Sequence, residues 1–202
     1  MSKPISAQLV SGNAHAATTA TRSSAWLRST GVVLAGSALV AVCAHLALPL
    51  YFTPVPLSLA PFAVLVIGLL LSPRLAASTL GAYLLEGALG LPVFSPTPAI
   101  AGLAHLLGPT GGYLLSYPVA AALIAYLVRR TGHGFAPAFL SAALGSLVIL
   151  TCGALWLAAL THASLPSLFT LAVLPFLPGD VLKVAAAAWL AAGWIHLRRR
   201  NG

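Results

Sequence analysis

Residues 174–192 read LPFLPGDVLKVAAAAWLAA. Pro178 and Gly179 end one segment, and an alanine-rich apolar run then continues to Leu197, close to the ~20 residues a helix needs to cross ~30 Å of hydrocarbon. Asp180 and Lys183 stand at its mouth. The rest of the chain reads the same way. Of its 202 residues 59% are hydrophobic and 6% charged, with only two acids, and the mean hydropathy is +0.99. Ordinary soluble domains are about a quarter charged, so this is an integral membrane protein, and its length suits one domain.

Working outward, apolar segments lie at about 30–48, 57–71, 75–90, 111–128, 136–160 and 180–197. They predict an all-α, polytopic membrane bundle of six transmembrane helices over 29–198. The connections hold the helix-ending residues: Pro49 to Pro56, Ser72-Pro73-Arg74, Leu91 to Pro109, Thr131 to Gly134 and Leu165 to Gly179. The second segment is short and contains Pro61 and Gly68; such backbone is tolerated in a bilayer only where protein or a cavity covers it. Residues 1–28 resemble a transit peptide in composition alone and are read as a disordered cytoplasmic tail; 199–202 form a basic one.

The bases sort onto one side. Lys3, Arg22 and Arg28 precede the first segment, Arg74 follows the second, Arg129 and Arg130 the fourth, and Arg198, Arg199 and Arg200 the sixth. The connections around 49–56, 91–110 and 161–179 carry no Lys or Arg. By the positive-inside rule both termini are cytoplasmic and these three connections face outward. The net charge of +8 is therefore topology and not a nucleic-acid surface, which would gather its bases on a soluble face. The stretch SLFTLAVLPFL within 161–179 is too short to span and reads as an interfacial or re-entrant lid. Tyr51, Phe52, Phe94, Phe169 and Phe176 lie on the outer connections as interfacial anchors or as the lining of a pocket mouth.

Three charges fall outside the inner set: Glu86, Asp180 and Lys183. Each costs roughly 2.5–3.5 kcal/mol at the centre of a lipid-facing helix, so each needs a partner, a cavity or the interface. Asp180 and Lys183, at i and i+3, share a helix face. Asp180 as a helix cap with Lys183 reaching the interface is one reading. The other is a ligand pocket offering an acceptor for N–H groups, a cation and the positive end of a helix dipole. Glu86 suits a hydrogen bond within the bundle, a ligand contact or a proton relay. Small residues on the first segment, Gly31/Ala35 and Ser37/Ala41, allow close helix packing within the bundle or docking of another membrane subunit.

Other chemistries find no support. GPTGGY at 108–113 lacks the lysine of a P-loop, so ATP must be handled by another polypeptide. The six histidines and two cysteines have neither metal nor redox spacing. Two acids cannot build metal-diphosphate or paired-carboxylate machinery, so an intramembrane lipid-modifying enzyme is disfavoured. No cofactor is expected.

The motifs FTPVPLSL (52–59), LLLSPRLAA (69–77), YLLEGALGLPVFS (83–95), LLGPTGGYLLSYP (106–118) and LPFLPGDVLKVAAAA (174–188), in that order, resemble the BioY family, the biotin-specific S components of energy-coupling factor transporters. The resemblance implies a substrate-capturing subunit of a bacterial cell membrane. It would hold biotin near the outer surface and work with a coupling membrane subunit and two ATPase subunits. It gives Asp180 the ureido N–H groups and Lys183 the carboxylate or another ligand oxygen, with Phe94, Tyr113 and Trp156 covering ring and tail. Ser58-Leu59-Ala60 replaces the family's Thr-Leu-Gln, keeping a hydroxyl at Ser58 and losing an amide at Ala60; His45 stands where members carry Gln. A carrier for another small carboxylate vitamin is the neighbouring alternative.

Overall fold

The computed structural model describes residues 26–96, 100–132, 134–162 and 173–200. Seven helices are seen among the described residues. Helix α1 (Trp26–His45) leads into a two-stranded antiparallel ribbon, β1 (Ala47–Leu48) and β2 (Leu57–Ser58), with Ala47 opposite Ser58. Then come α2 (Ala60–Leu70), α3 (Pro73–Ala88), the short α4 (Leu103–Leu107), α5 (Gly111–Thr131), α6 (Phe135–Thr161) and α7 (Leu177–Arg200). Among the described residues this ribbon departs from the all-α expectation.

Local chemistry sets the boundaries. Ser72 accepts from the Leu75 amide and Pro73 occupies the first turn of α3, the favoured residues for those positions. Gly132 ends α5 at φ 111°, a backbone that side chains with a Cβ avoid. Helices α1, α5, α6 and α7 are long and apolar enough to cross a membrane. Their outer faces carry exposed Leu34, Val42, Leu140, Leu147, Leu182 and Trp189, an apolar belt far larger than a water-soluble surface tolerates. Helix α1 is already formed at Trp26 and α7 continues through Arg200, so helix extends into both segments expected as tails. Most of the expected lid, including Phe169, lies outside the described residues.

Helix α2 has 11 residues, about 16 Å of rise, roughly half the hydrocarbon depth. Around its C-terminal half, Leu65, Leu69, Ile124, Val128, Ala138, Ala142, Val184, Ala187, Ala188 and Ala191 form an apolar layer from α2, α5, α6 and α7. The alanines of 185–188 let α7 approach α2 and α6 closely. Above its N-terminus, where a full-length helix would continue, the chain turns back through the ribbon and leaves a hollow.

Candidate functional site

Ala60 and Pro61, at the truncated start of α2, form part of the lining of this hollow. Its other walls come from Ala44 of α1, Tyr83 of α3, His105 of α4, Tyr113 and Tyr117 of α5, Ile149 of α6, and Phe176, Asp180 and Lys183 at the start of α7. Counting its open mouth, it holds about 680 Å³ of free space. The lining is mostly apolar. It lies at the ends of α5 and α7 opposite those that carry Arg129, Arg130, Arg198 and Arg200.

The charged residues are held by neighbouring elements. Ser146 of α6 donates to Asp180 Oδ1 at 2.5 Å, and Lys183 Nζ donates to the Ser58 carbonyl at 2.6 Å. Asp180 lies within the helix that starts at Leu177, and its carboxylate bonds across to α6. The capping reading therefore gives way to the cross-helix bond, and Lys183 turns inward to the ribbon. A carboxylate accepts about four hydrogen bonds and an ammonium donates three, so both retain capacity for a ligand.

Of the residues singled out in the sequence, Ser58, Tyr113, Phe176, Asp180 and Lys183 meet in this cavity. Ser58 takes part through its carbonyl, since its hydroxyl accepts from the Ala60 amide at 3.0 Å. Three others lie elsewhere. Glu86 accepts from Ser37 and ties α3 to α1. Phe94 stands behind the wall, stacked on His105 at 5.0 Å and edge-on to Tyr83 at 5.4 Å. Trp156 donates to the Gly108 carbonyl at 2.9 Å and borders an outer groove of α5 and α6. Ser37 is fully buried on that same bond, while Ala41 packs half-buried against the core. The side chain of Ser37 thus serves packing inside the chain. Pairing across α1 and α3, rather than a ligand contact, occupies Glu86.

Comparison with known proteins decides the family. The BioY family profile matches residues 14–200. The chain belongs to the BioY family. It is 39% identical over 138 residues to a probable biotin transporter BioY of Pyrococcus horikoshii, covering 68% of this chain and 79% of that protein. It is 34% identical over 157 residues to the biotin transporter BioY2 of Lactococcus lactis subsp. cremoris, covering 78% and 84%. The crystal structure of the S component for biotin from an ECF-type ABC transporter superposes with a TM-score of 0.77 at 26% identity, covering 87% of this chain and 93% of that one.

In this BioY-family chain, sequence reasoning missed Tyr83, His105, Thr110, Tyr117 and Ser146. Tyr83 and Tyr117 lie in apolar helical segments that gave them no distinguishing signal; lone His105 had no metal spacing. The Tyr113 ring is set by Gly153 on α6, where an added Cβ would strike the ring. Gly153→Ala is expected to displace Tyr113 from the wall, costing ~1–3 kcal/mol of stability and weakening ligand binding, both measurable on purified protein. Gly81→Ala, whose Cβ meets nothing within 4 Å, is the control and should leave both unchanged; equal behaviour of the two variants would remove the packing argument.

Proposed function

We propose that this chain is the biotin-binding S component of an energy-coupling factor transporter, capturing biotin from outside and delivering it inward. The observation that carries the reading is the inward-turned Asp180 and Lys183 on the wall of an otherwise apolar cavity, in a chain of this family. Biotin's hydrogen-bond donors at neutral pH are its two ureido N–H groups, and Asp180 is the cavity's charged acceptor. The ureido ring therefore belongs at Asp180. Its carbonyl, flanked by those N–H groups, falls to Lys183 one turn along the same face. A carboxylate on Lys183 would instead lie beside the Asp180 charge. The thioether ring and tail suit the surrounding Tyr113, Ile149 and Phe176.

Titration of the purified chain with biotin tests this. Saturable binding at submicromolar concentration is expected, and none below micromolar would overturn it.

The same reading makes all six longer helices membrane segments, α2 and α3 short ones completed by the ribbon and loops, with both termini cytoplasmic in a bacterial plasma membrane. The distribution of Arg74, Arg129, Arg130 and the α7 arginines supports that orientation. Reporter fusions should locate the C-terminus and the 132–134 turn inside and residue 51 outside; any reversal refutes the topology. Inward delivery draws on partners, a coupling membrane subunit and two ATPase subunits, since the chain's two lysines leave no P-loop. Interfaces for them through the Ser37/Ala41 face would have to use its exposed neighbours, such as Ala35 and Val42.

A further inference from the structure

With the ureido ring at Asp180 and Lys183, the other end of the substrate lies toward α3, α4 and α5. Helix α4 packs on α3 and α5, whereas α7 packs on α2 and α6, so this is a separate wall. It contributes Tyr83, His105 and Thr110 to the cavity lining. Among the described residues Tyr83 Oη and Thr110 Oγ1 are buried and have no hydrogen-bond partner; Tyr83 is 0% and Thr110 7% exposed. Buried polar groups are nearly always paired, so two orphan hydroxyls on one wall mark a missing acceptor. Thr110 is also the residue preceding α5, and makes no side-chain cap bond. The 21-residue α5 thus directs the positive end of its dipole to the same place, where anions are stabilised.

The remaining group, His105, donates from Nδ1 to the Ile100 carbonyl at 2.8 Å. The cavity lining has one acid, Asp180, and it stands on α7. Two hydroxyl donors and a helix N-terminus form a seat for an anion, since Glu86, one turn along α3 from Tyr83, stands outside the lining and accepts from Ser37, and a carboxylate can accept from both donors at once.

We propose that Tyr83, Thr110 and the N-terminus of α5 receive the substrate's carboxylate, making this chain select for a free acid over its neutral derivatives. The inference rests on biotin occupying this cavity through Asp180.

The test measures binding of biotin and of its carboxamide by the full chain and by Tyr83→Phe, Thr110→Val and the double variant. Wild type should prefer biotin by about ten-fold or more, the size expected for hydrogen bonds to a charged group. The preference should shrink in each single variant and approach unity in the double, chiefly through weaker binding of biotin. Thr110→Ser, which keeps the hydroxyl, should retain it. Neither Phe nor Val removes a bond seen among the described residues, so thermal stability without ligand should not fall. An undiminished preference in the double variant overturns the seat while leaving biotin transport standing. If wild type binds neither compound, the functional reading falls and the seat with it. A wild type that binds both equally refutes the seat alone.

Discussion

Asp180→Asn should lower biotin affinity by ~2–5 kcal/mol, the range for breaking a hydrogen-bonded buried charge pair, or roughly thirty-fold at the least. The substitution keeps the size of the side chain and an oxygen to accept from Ser146, so the fold has little reason to change. What it removes is the charge that attracts the ureido N–H groups and balances Lys183. It also presents an amide that can meet those N–H groups donor to donor. Calorimetry on the purified protein measures the loss, and thermal unfolding separates it from damage to the bundle. An analogue methylated at the ureido nitrogens sharpens the result. Wild type should bind it weakly, and Asp180→Asn should weaken it little further. A full additional loss with this analogue, or an unchanged affinity for biotin, would detach Asp180 from the ureido group.

How much of this was legible in the sequence depended on which physical cost each residue carried. Asp180 and Lys183 could be found because a charge in an apolar run is expensive unless something receives it. The one-sided bases showed where each helix turns back, because the membrane imposes that asymmetry. Proline and the short second segment, 57–71, hinted at covered, irregular backbone, and α2 does start late, leaving the ribbon and the cavity above it.

Contact order across the wall was not legible. Phe94 and Trp156 lie in the same motifs as true lining residues, yet Phe94 backs Tyr83 and His105, and Trp156 faces away from the cavity to brace Gly108. Spacing along a chain tells which face a residue shares, while the depth of that face depends on the neighbouring helix. Ser146 shows the converse: a serine in an apolar helix carries little signal until α7 places Asp180 beside it. The two-residue strands were equally invisible, being too short to display an alternation. Tyr83 was hidden for a different reason, since its value lies in a hydroxyl that has no partner among the described residues.

Lys183→Ala is expected to weaken biotin by ~1.5–3 kcal/mol, the range for hydrogen bonds to charged groups, and to do so equally for biotin and its methyl ester. Equality follows from the geometry. Lys183 Nζ is held at the Ser58 carbonyl beside the ribbon, on the same helix face as Asp180, where the ureido oxygen arrives and a carboxylate would be repelled. The ester changes the far end of the molecule, next to Tyr83 and Thr110, so the two losses should add as independent sites do. A loss restricted to the free acid would assign the carboxylate to Lys183 and take it away from the α5 N-terminus. Because the alanine also frees the Ser58 carbonyl and leaves Asp180 unbalanced, expression and unfolding temperature must be read alongside. If they collapse together with binding, the ammonium is holding the ribbon to α7 more than it is holding the substrate. Lys183→Met then separates the two, since it fills most of the same volume without the charge, and only a ligand role makes that variant fold normally and still bind poorly.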